Sequence, residues 1–222
     1  MSNLYRVLFI LIIIIIGGCG GSEGFTPAKN NQNSSPLIQT GVFIDSAVEG
    51  LRYRTGNLHG FTDSKGTFKY INGNEVSFYV GDIFIGKAKG NTIITPVDLI
   101  ADTDDPTHPT VTNIARFLQT LDDDNIPLNG IKITSAATNL AKGKSISFAQ
   151  SEGDFTNDAN VQIIVSELTA ATESGARSLI LASAAQRHLI ATLERLNTDD
   201  EQASNDSGSN NVDDTEIDEN TN

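Results

Sequence analysis

The sequence predicts an α+β fold, in which a small antiparallel β-sandwich or barrel precedes a C-terminal helical part of about three helices. Two observations support this prediction. Between Gly41 and Ile94, short runs of alternating apolar residues recur at roughly ten-residue spacing, separated by Gly, Asn and Asp. After Pro96 the apolar residues recur at the i, i+3, i+4, i+7 spacing of a helix. We therefore expect a β part over residues 39–96 and a helical part over residues 97–197 packed on it.

The first strands of the β part are marked by alternation and by turn residues. Val42-Phe43-Ile44 predicts the opening strand, and Asp63-Ser64-Lys65-Gly66 is typical of a polar turn that ends in glycine. Phe68 and Tyr70 then alternate with polar neighbours. Asn72-Gly73-Asn74 follows directly and predicts a hairpin to the next strand.

The later strands follow the same logic. One strand places three apolar side chains on one face and three other side chains on the opposite face: Val76, Phe78 and Val80 against Glu75, Ser77 and Tyr79. Gly81-Asp82 predicts a turn into another short strand over Ile83-Phe84-Ile85. Ile93-Ile94 predicts the last strand before Thr95-Pro96.

Three apolar stripes at helical spacing predict the helical part. The first contains Ile114, Phe117, Leu118 and Leu121, with Thr110 or Thr112 as its N-cap; the second contains Val161, Ile164, Val165 and Leu168; the third runs from Leu179 to Leu196. From residue 198 to residue 222 the chain is a low-complexity acidic tail, for which we expect disorder.

The N-terminus has the pattern of a secretory signal peptide over residues 1–18. Arg6 precedes an apolar run from Val7 to Ile16, which is too short for a transmembrane helix of about 20 residues. Ile16-Gly17-Gly18-Cys19 resembles the bacterial lipobox, which implies cleavage before Cys19 and lipidation of its thiol. Gly20 at the next position favours sorting to the outer membrane in that class of protein, and residues 19–38 are predicted to form a flexible tether.

Composition limits the classes of function. The formal net charge is −13, and nine acids with no Lys or Arg lie between Asp199 and Asn222. No basic patch typical of a nucleic-acid-binding protein is evident, so nucleic acid is not an expected partner. Trp is absent and Tyr occurs four times. The scarcity of these residues lowers the expectation of a sugar-stacking platform without excluding it.

No familiar catalytic motif is present. The sequence lacks G-x-S-x-G, G-x-x-x-x-G-K-[ST] and H-E-x-x-H, and Cys19 is the only cysteine. The three histidines, His59, His108 and His188, have no second ligand at metal-binding helical spacing, and we expect His188 on a solvated helix face. We therefore expect no enzyme. An envelope hydrolase that uses a carboxylate pair is the alternative, because spacing alone cannot select such a pair.

One acidic loop, from Asp122 to Asn129, is a candidate calcium site. Asp122 and Asp124 match the first and third positions of an EF-hand loop, and Asn129 follows. Ile126 and Pro127 occupy positions where that loop needs an oxygen ligand and a glycine. The expectation is a solvated turn after a helix, although three successive carboxylates at a helix C-terminus oppose the helix dipole. The candidate calcium ligands are Asp122, Asp124 and Asn129, and no other cofactor is predicted.

Two stretches carry a family resemblance. Residues 44–50 and 62–70 resemble the V-x-D-x-x-V-x-G and T-D-x-x-G-x-F-x-Y patterns of carboxypeptidase regulatory-like β-sandwich modules. Residues 111–122, together with G-x-F-x-Y-x-x-G-x-x-V-x-F-x-x-G from Gly66 to Gly81, resemble uncharacterised proteobacterial surface lipoproteins. The modules are mostly accessory domains. The resemblance therefore implies a lipid-anchored envelope protein with a non-catalytic binding or structural role, and an envelope protein or glycan as its ligand. A truncated accessory module of a surface adhesin is a further alternative.

Overall fold

The computed structural model describes residues 37–206, with side chains to residue 198, and its fold is α+β as predicted. Within this range the strands form no closed barrel. The strands are β1 Ile38–Phe43, β2 Val48–Glu49, β3 Arg52–Thr55, β4 Leu58–Phe61, β5 Thr67–Ile71, β6 Glu75–Val80, β7 Ile83–Lys89, β8 Ile93–Ile94 and β9 Ile131–Lys132. The helices are α1 Pro109–Thr120, α2 Ser135–Leu140, α3 Glu152–Asn157, α4 Ala159–Thr169 and α5 Ala182–Asp206.

The strands form three sheets. A three-stranded sheet has the order β5-β1-β8, in which β1 is antiparallel to β5 and parallel to β8. An antiparallel four-stranded sheet has the order β4-β3-β6-β7, and β2 pairs with β9 in parallel. Aromatic contacts join the two larger sheets: the ring of Phe68 lies edge-on to Phe78, with centroids 5.2 Å apart, and 6.0 Å from Tyr53. The β part is therefore sandwich-like.

The predicted hairpin at Asn72-Gly73-Asn74 is wrong, although the turn itself is present. The amide of Asn74 donates to the carbonyl of Ile71 at 3.0 Å, and Gly73 has a positive φ of 83°. The strands on either side do not pair, because β5 joins β1 and β6 joins β3 and β7. Turn residues indicate a local chain reversal. They do not indicate which distant strand forms hydrogen bonds with each of the two strands that the turn connects.

The helical stripes are confirmed, with a different cap and two additional helices. The N-cap of α1 is His108, whose Nδ1 accepts from the amide of Thr110 at 3.3 Å, so neither predicted threonine has this role. The additional helices are α2 and α3, which have six residues each and were not predicted from the sequence. Helices this short present too few apolar residues for a periodic pattern, and side chains of Thr134 and Ser151 cap them.

A single large hydrophobic core joins the β part to the helices. Phe43 and Phe78 from the strands belong to the same buried cluster as Phe117 and Phe155 from α1 and α3. A smaller cluster packs α5 onto α1 through Val111, Ala115, Ala185 and Leu189. The helices therefore bury the apolar faces that a lone two-layer sandwich of this size would leave exposed.

Helix α5 continues to Asp206, past the predicted start of the acidic tail at residue 198. Glu201, Gln202 and Ala203 in this stretch are good helix formers, whereas the Asp, Ser, Asn and Thr residues around them are weaker ones, so composition does not by itself explain the extension. The predicted signal peptide, Cys19 and most of the tether lie outside the described residues. Of the helices that are described, none combines the length and hydrophobicity needed to cross a bilayer.

Candidate functional site

The candidate site is the solvent-facing side of the four-stranded sheet. Alternation along each strand sends one set of side chains into the core and the other to solvent. We call the solvent-facing set the outer face. It consists of two rows, written in strand order β4-β3-β6-β7: Phe61, Arg52, Tyr79 and Phe84 in the first, and His59, Arg54, Ser77 and Lys87 in the second.

The first row, which we call the aromatic row, is aligned by strand register. Arg52 pairs directly with Phe61 on one side and with Tyr79 on the other, and Tyr79 pairs with Phe84. Directly paired side chains in a sheet lie close together on the same face. Three steps between neighbouring strands give the row a length of about 14 Å.

The guanidinium of Arg52 is fixed within this row. Its Nε donates to the carbonyl of Gly81 at 3.0 Å, and its Nη2 lies 3.5 Å from Oδ1 of Asp82. Its central carbon lies 4.4 Å from the ring centroid of Tyr79, which is a cation–π arrangement. Tyr79 in turn contacts Phe84, with centroids 5.4 Å apart and planes tilted by 55°. The middle of the row is therefore ordered before any ligand arrives.

The ends of the row are exposed. Phe61 is 58% and Phe84 44% exposed, while Arg52 and Tyr79 are half-buried. Aromatic rings that stay in contact with water do not gain the free energy that their burial would provide. Contiguous exposed apolar patches commonly mark binding sites. The row is therefore an apolar strip with a cation near its centre.

A β-bulge contributes to this alignment. The register of β6 and β7 shifts between Phe78 and Tyr79, so that Phe78 faces Gly86 while Tyr79 faces Phe84. A side chain at Gly86 would meet Leu99, whose Cβ lies 2.8 Å from the position of an added Cβ. Bulges redirect side chains, and this one aims Tyr79 and Phe84 at the same surface.

Cations border the aromatic row. Arg54 and Lys87 lie in the second row, and Lys89 pairs with Glu75 at the next position along the sheet. Lys87 also forms an ion pair with Glu75 at 2.8 Å. Neither Arg54 nor Lys89 forms an ion pair with any side chain that the structure describes. The outer face thus carries available positive charge in a chain of net charge −13.

The predicted calcium residues lie together in the loop after α1. Both oxygens of Asp122 accept backbone amides, from Lys132 at 2.9 Å and Ile126 at 2.7 Å. Asp124 accepts from the amide of Ile126 at 2.9 Å and from Nδ2 of Asn129 at 2.8 Å. The loop thus satisfies its own carboxylates, and within the described residues no group of three or more His, Cys, Asp and Glu is arranged to hold a metal ion.

The three carboxylates of this loop differ in the direction in which their pKa values are shifted. Burial raises the pKa of Asp122, against the opposing effect of the Lys132 amide. Hydrogen bonds from Asn129 and from the Ile126 amide lower the pKa of Asp124. The amide of Glu173 and the side chain of Lys132 lower the pKa of Asp123. These residues border an open cleft of about 260 Å³.

A second polar cluster, buried between β1, α1 and α5, is centred on Asp45. Its side chain is 0% exposed and accepts from Nε2 of Gln119 at 3.1 and 2.9 Å. Nε2 of His188 lies 3.8 Å from Oδ1 of Asp45 and 3.1 Å from Oγ of Ser46. Burial raises the pKa of Asp45 to about 7, against the opposing hydrogen bond from Gln119. Burial also lowers the pKa of His188.

The prediction that His188 is solvated is wrong, because its side chain is 10% exposed and packs against Asp45. The cluster nevertheless lacks the geometry of a catalytic triad. In a triad the carboxylate orients one ring nitrogen while the other faces the serine. Here Asp45 and Ser46 both approach Nε2. The arrangement instead ties α5 to the turn after β1.

No sequence pattern predicted the aromatic row as a site. Alternation placed Tyr79 on the polar face of its strand, but Phe61, Arg52 and Phe84 were not associated with it. His59 lies exposed in the second row, and Cys19 lies outside the described residues. Comparison with known protein families, with curated proteins and with solved structures finds no match to this chain.

Proposed function

We propose that the chain is a lipid-anchored protein of the cell envelope, attached through Cys19 at the outer membrane, which binds its ligand non-catalytically on the outer face. The observation that carries this proposal is the aromatic row, in which Phe61, Arg52, Tyr79 and Phe84 are aligned by strand register, with both ends exposed and the middle half-buried. A stiff sheet that holds its contact side chains in place loses little conformational entropy when a ligand binds.

The buried carboxylates favour a non-catalytic role over a hydrolase. A glycosidase needs two carboxyl groups that flank the substrate bond in a cleft. Asp45 has no exposed surface, and Asp122 is 1% exposed with both oxygens bound to backbone amides. Both side chains therefore act as internal hydrogen-bond acceptors, consistent with a stabilising role in the fold.

The sequence resemblance agrees with this proposal. Regulatory-like β-sandwich modules are mostly accessory domains, and the lipobox pattern at Cys19 implies an anchor. An anchored domain with an open sheet face is suited to retaining or displaying a ligand at the envelope.

Retention on envelope material tests the proposal. Full-length protein, purified in a mild non-ionic detergent, is incubated in that detergent with lipid-extracted cell envelopes from the producing bacterium and from a strain deleted for the gene. Because the lipid at Cys19 then has no bilayer to enter, retention measures binding by the protein surface. We expect retention that falls by about tenfold or more in Phe61→Ala/Phe84→Ala, since each exposed ring contributes on the order of 1 kcal/mol to such contacts. The matched control is Ile163→Ala, which removes a side chain that is 59% exposed on α4. Equal retention of all three proteins would contradict the proposed binding role of the outer face.

A further inference from the structure

The outer face has a composition that selects one class of ligand. We propose that it binds an acidic polysaccharide, that is, a chain of sugar rings that carries carboxylate groups at intervals. This inference rests on the proposed binding function and names its ligand. Three features of the face support it: the shape of the aromatic row, the position of the cations, and their small number.

The aromatic row fits a linear chain of sugar rings. A pyranose ring has a C–H-rich face that packs on an aromatic ring, while its hydroxyl groups remain at the edge in contact with water. The strip from Phe61 to Phe84 is continuous, because it follows one register line across four strands, and it extends about 14 Å. Phe61 stands at one end, and the contacting rings of Tyr79 and Phe84 stand at the other.

The cations lie beside this strip in the second row and at the next register position. Arg54 pairs with His59 and Ser77, one position removed from the aromatic row on β3. Lys89 lies further along β7, opposite Glu75. Arginine binds a carboxylate through two parallel hydrogen bonds, and lysine attracts it as a point charge. A carboxylate on a sugar ring that rests on the row would therefore lie beside Arg54, and Lys89 lies one register row further along the sheet.

The number of available cations argues against a dense polyanion. Arg52 lies near Asp82 and Lys87 is paired with Glu75, which leaves Arg54 and Lys89 as the unpaired lysine or arginine groups of this face among the described side chains. A nucleic-acid site neutralises several closely spaced phosphates. An anionic membrane attracts clusters of four to eight basic residues. Two unpaired cations near an apolar strip are complementary to a polymeric ligand whose negative charges are widely spaced.

Hyaluronan is the probe, because it alternates uronate and neutral sugar rings. The full-length protein in mild detergent is titrated with immobilised hyaluronan and with carboxyl-reduced hyaluronan, which keeps the same rings without the charge. Polyglutamate provides carboxylates without rings. Single-stranded DNA and phosphatidylglycerol vesicles represent the other two classes of anionic partner.

We expect the tightest binding to hyaluronan, with the reduced polymer and polyglutamate each weaker by about tenfold, equivalent to about 1.4 kcal/mol. Phe61→Ala/Phe84→Ala should weaken hyaluronan binding by about tenfold. Arg54→Gln/Lys89→Gln should abolish the preference over the reduced polymer. Ile163→Ala and Lys142→Gln, at exposed positions of α4 and of the turn after α2, are the matched controls and should change nothing. Melting temperatures establish that each variant is folded.

Each other outcome overturns the inference. Equal binding of polyglutamate would show that charge alone acts, and equal binding of the reduced polymer would show that the carboxylates are not recognised. Preference for DNA, or vesicle binding that falls in Phe61→Ala/Phe84→Ala, would assign the face to another partner class. Envelope retention that depends on Phe61 and Phe84, without hyaluronan binding, would refute the acidic-polysaccharide ligand and leave the proposed binding function standing. Loss of both would refute the two together.

Discussion

The guanidinium of Arg52 lies over the ring of Tyr79, with its central carbon 4.4 Å from the ring centroid, on an open face of the sheet. The two residues are direct partners across β3 and β6, so strand register places them together. The hydrogen bond from Arg52 to the carbonyl of Gly81 fixes the orientation of the guanidinium plane. This pair makes the aromatic row a continuous and ordered surface.

Arg52→Lys tests the importance of that plane. Lysine keeps the positive charge but lacks the flat guanidinium that covers Tyr79. We expect binding to envelope material to weaken by several-fold, while the free energy of unfolding falls by no more than about 1 kcal/mol, because this exposed cation–π contact and ion pair contribute little to stability. Retention and urea denaturation measure the two quantities. Unchanged retention would show that only the charge of Arg52 matters.

The pKa of Asp45 predicts a pH dependence of stability. Its folded-state pKa of about 7 is above the reference value of 3.8. Between about pH 4 and about pH 7, Asp45 is therefore protonated in the native state and ionised in the unfolded chain. The contribution of Asp45 to the free energy of unfolding therefore falls as the pH rises from about 4 to about 7, and it does not change further above about pH 7. A shift of this size corresponds to about 4 kcal/mol. The lowered pKa of His188 acts in the opposite sense, because stability is lost as that group becomes protonated at low pH.

Asp45→Asn isolates this effect. The amide stays neutral and can still accept from Gln119, so the variant should gain stability relative to wild type as pH rises from 5 to 8. Urea denaturation at both pH values gives the difference. Asp104→Asn, at an exposed position, is the matched control and should follow wild type at both pH values. A constant difference between Asp45→Asn and wild type would contradict a raised pKa.

The loop after α1 should depend on Asp122 and not on calcium. Asp122→Ala leaves the amide of Lys132 without its acceptor and removes one of the two acceptors of the Ile126 amide, which should cost about 2 kcal/mol of unfolding free energy. The exposed Asp104→Ala is the comparison. We expect equal melting temperatures in millimolar calcium and magnesium. A calcium-specific rise that Asp122→Ala removes would show that the loop is a metal site after all.

Limited proteolysis should leave one fragment near residues 37–198. The β part and the helices share the core cluster that contains Phe43, Phe78 and Phe117, so neither can separate without exposing it. Mass spectrometry of the digest identifies the boundaries. Two stable fragments divided near residues 96–110 would mean that the helices fold independently.

The lipid anchor at Cys19 is tested in cells. Radioactive palmitate should label the wild-type chain, and globomycin, which blocks the lipoprotein signal peptidase, should leave the precursor uncut. Cys19→Ala should carry no label. Label that survives this substitution would refute lipidation at Cys19.

Short-range patterns in the sequence predicted the elements better than their partners. Alternation identified β6 and placed Tyr79 opposite the core-facing Phe78, and helical spacing identified α1 and α4. The pairing of Arg52 with Tyr79 joins residues far apart in the chain, and the local turn at Asn72-Gly73-Asn74 indicated a different partner for β6. Register between distant strands depends on the whole core, which no local pattern contains.

The same limit of local sequence patterns explains why one polar cluster was predicted and the other was not. The spacing of Asp122, Asp124 and Asn129 correctly suggested that they lie together, because all three belong to one loop. Asp45 and His188 are 143 residues apart in the chain, and their contact follows from the packing of α5 against α1. His188 carries no signal of burial in its own neighbourhood, since Gln186 and Arg187 precede it.

Hydroxyl-radical footprinting of the full-length protein tests the central claim most directly, which is that the outer face binds the ligand. The protein is oxidised free and bound to envelope material, and mass spectrometry compares the two at each residue. We predict protection of Phe61, Tyr79 and Phe84, with unchanged oxidation of Leu128, Ile163 and Leu181, which are exposed elsewhere. Protection of these last three residues, with continued oxidation of Phe61 and Phe84 in the bound state, would contradict it.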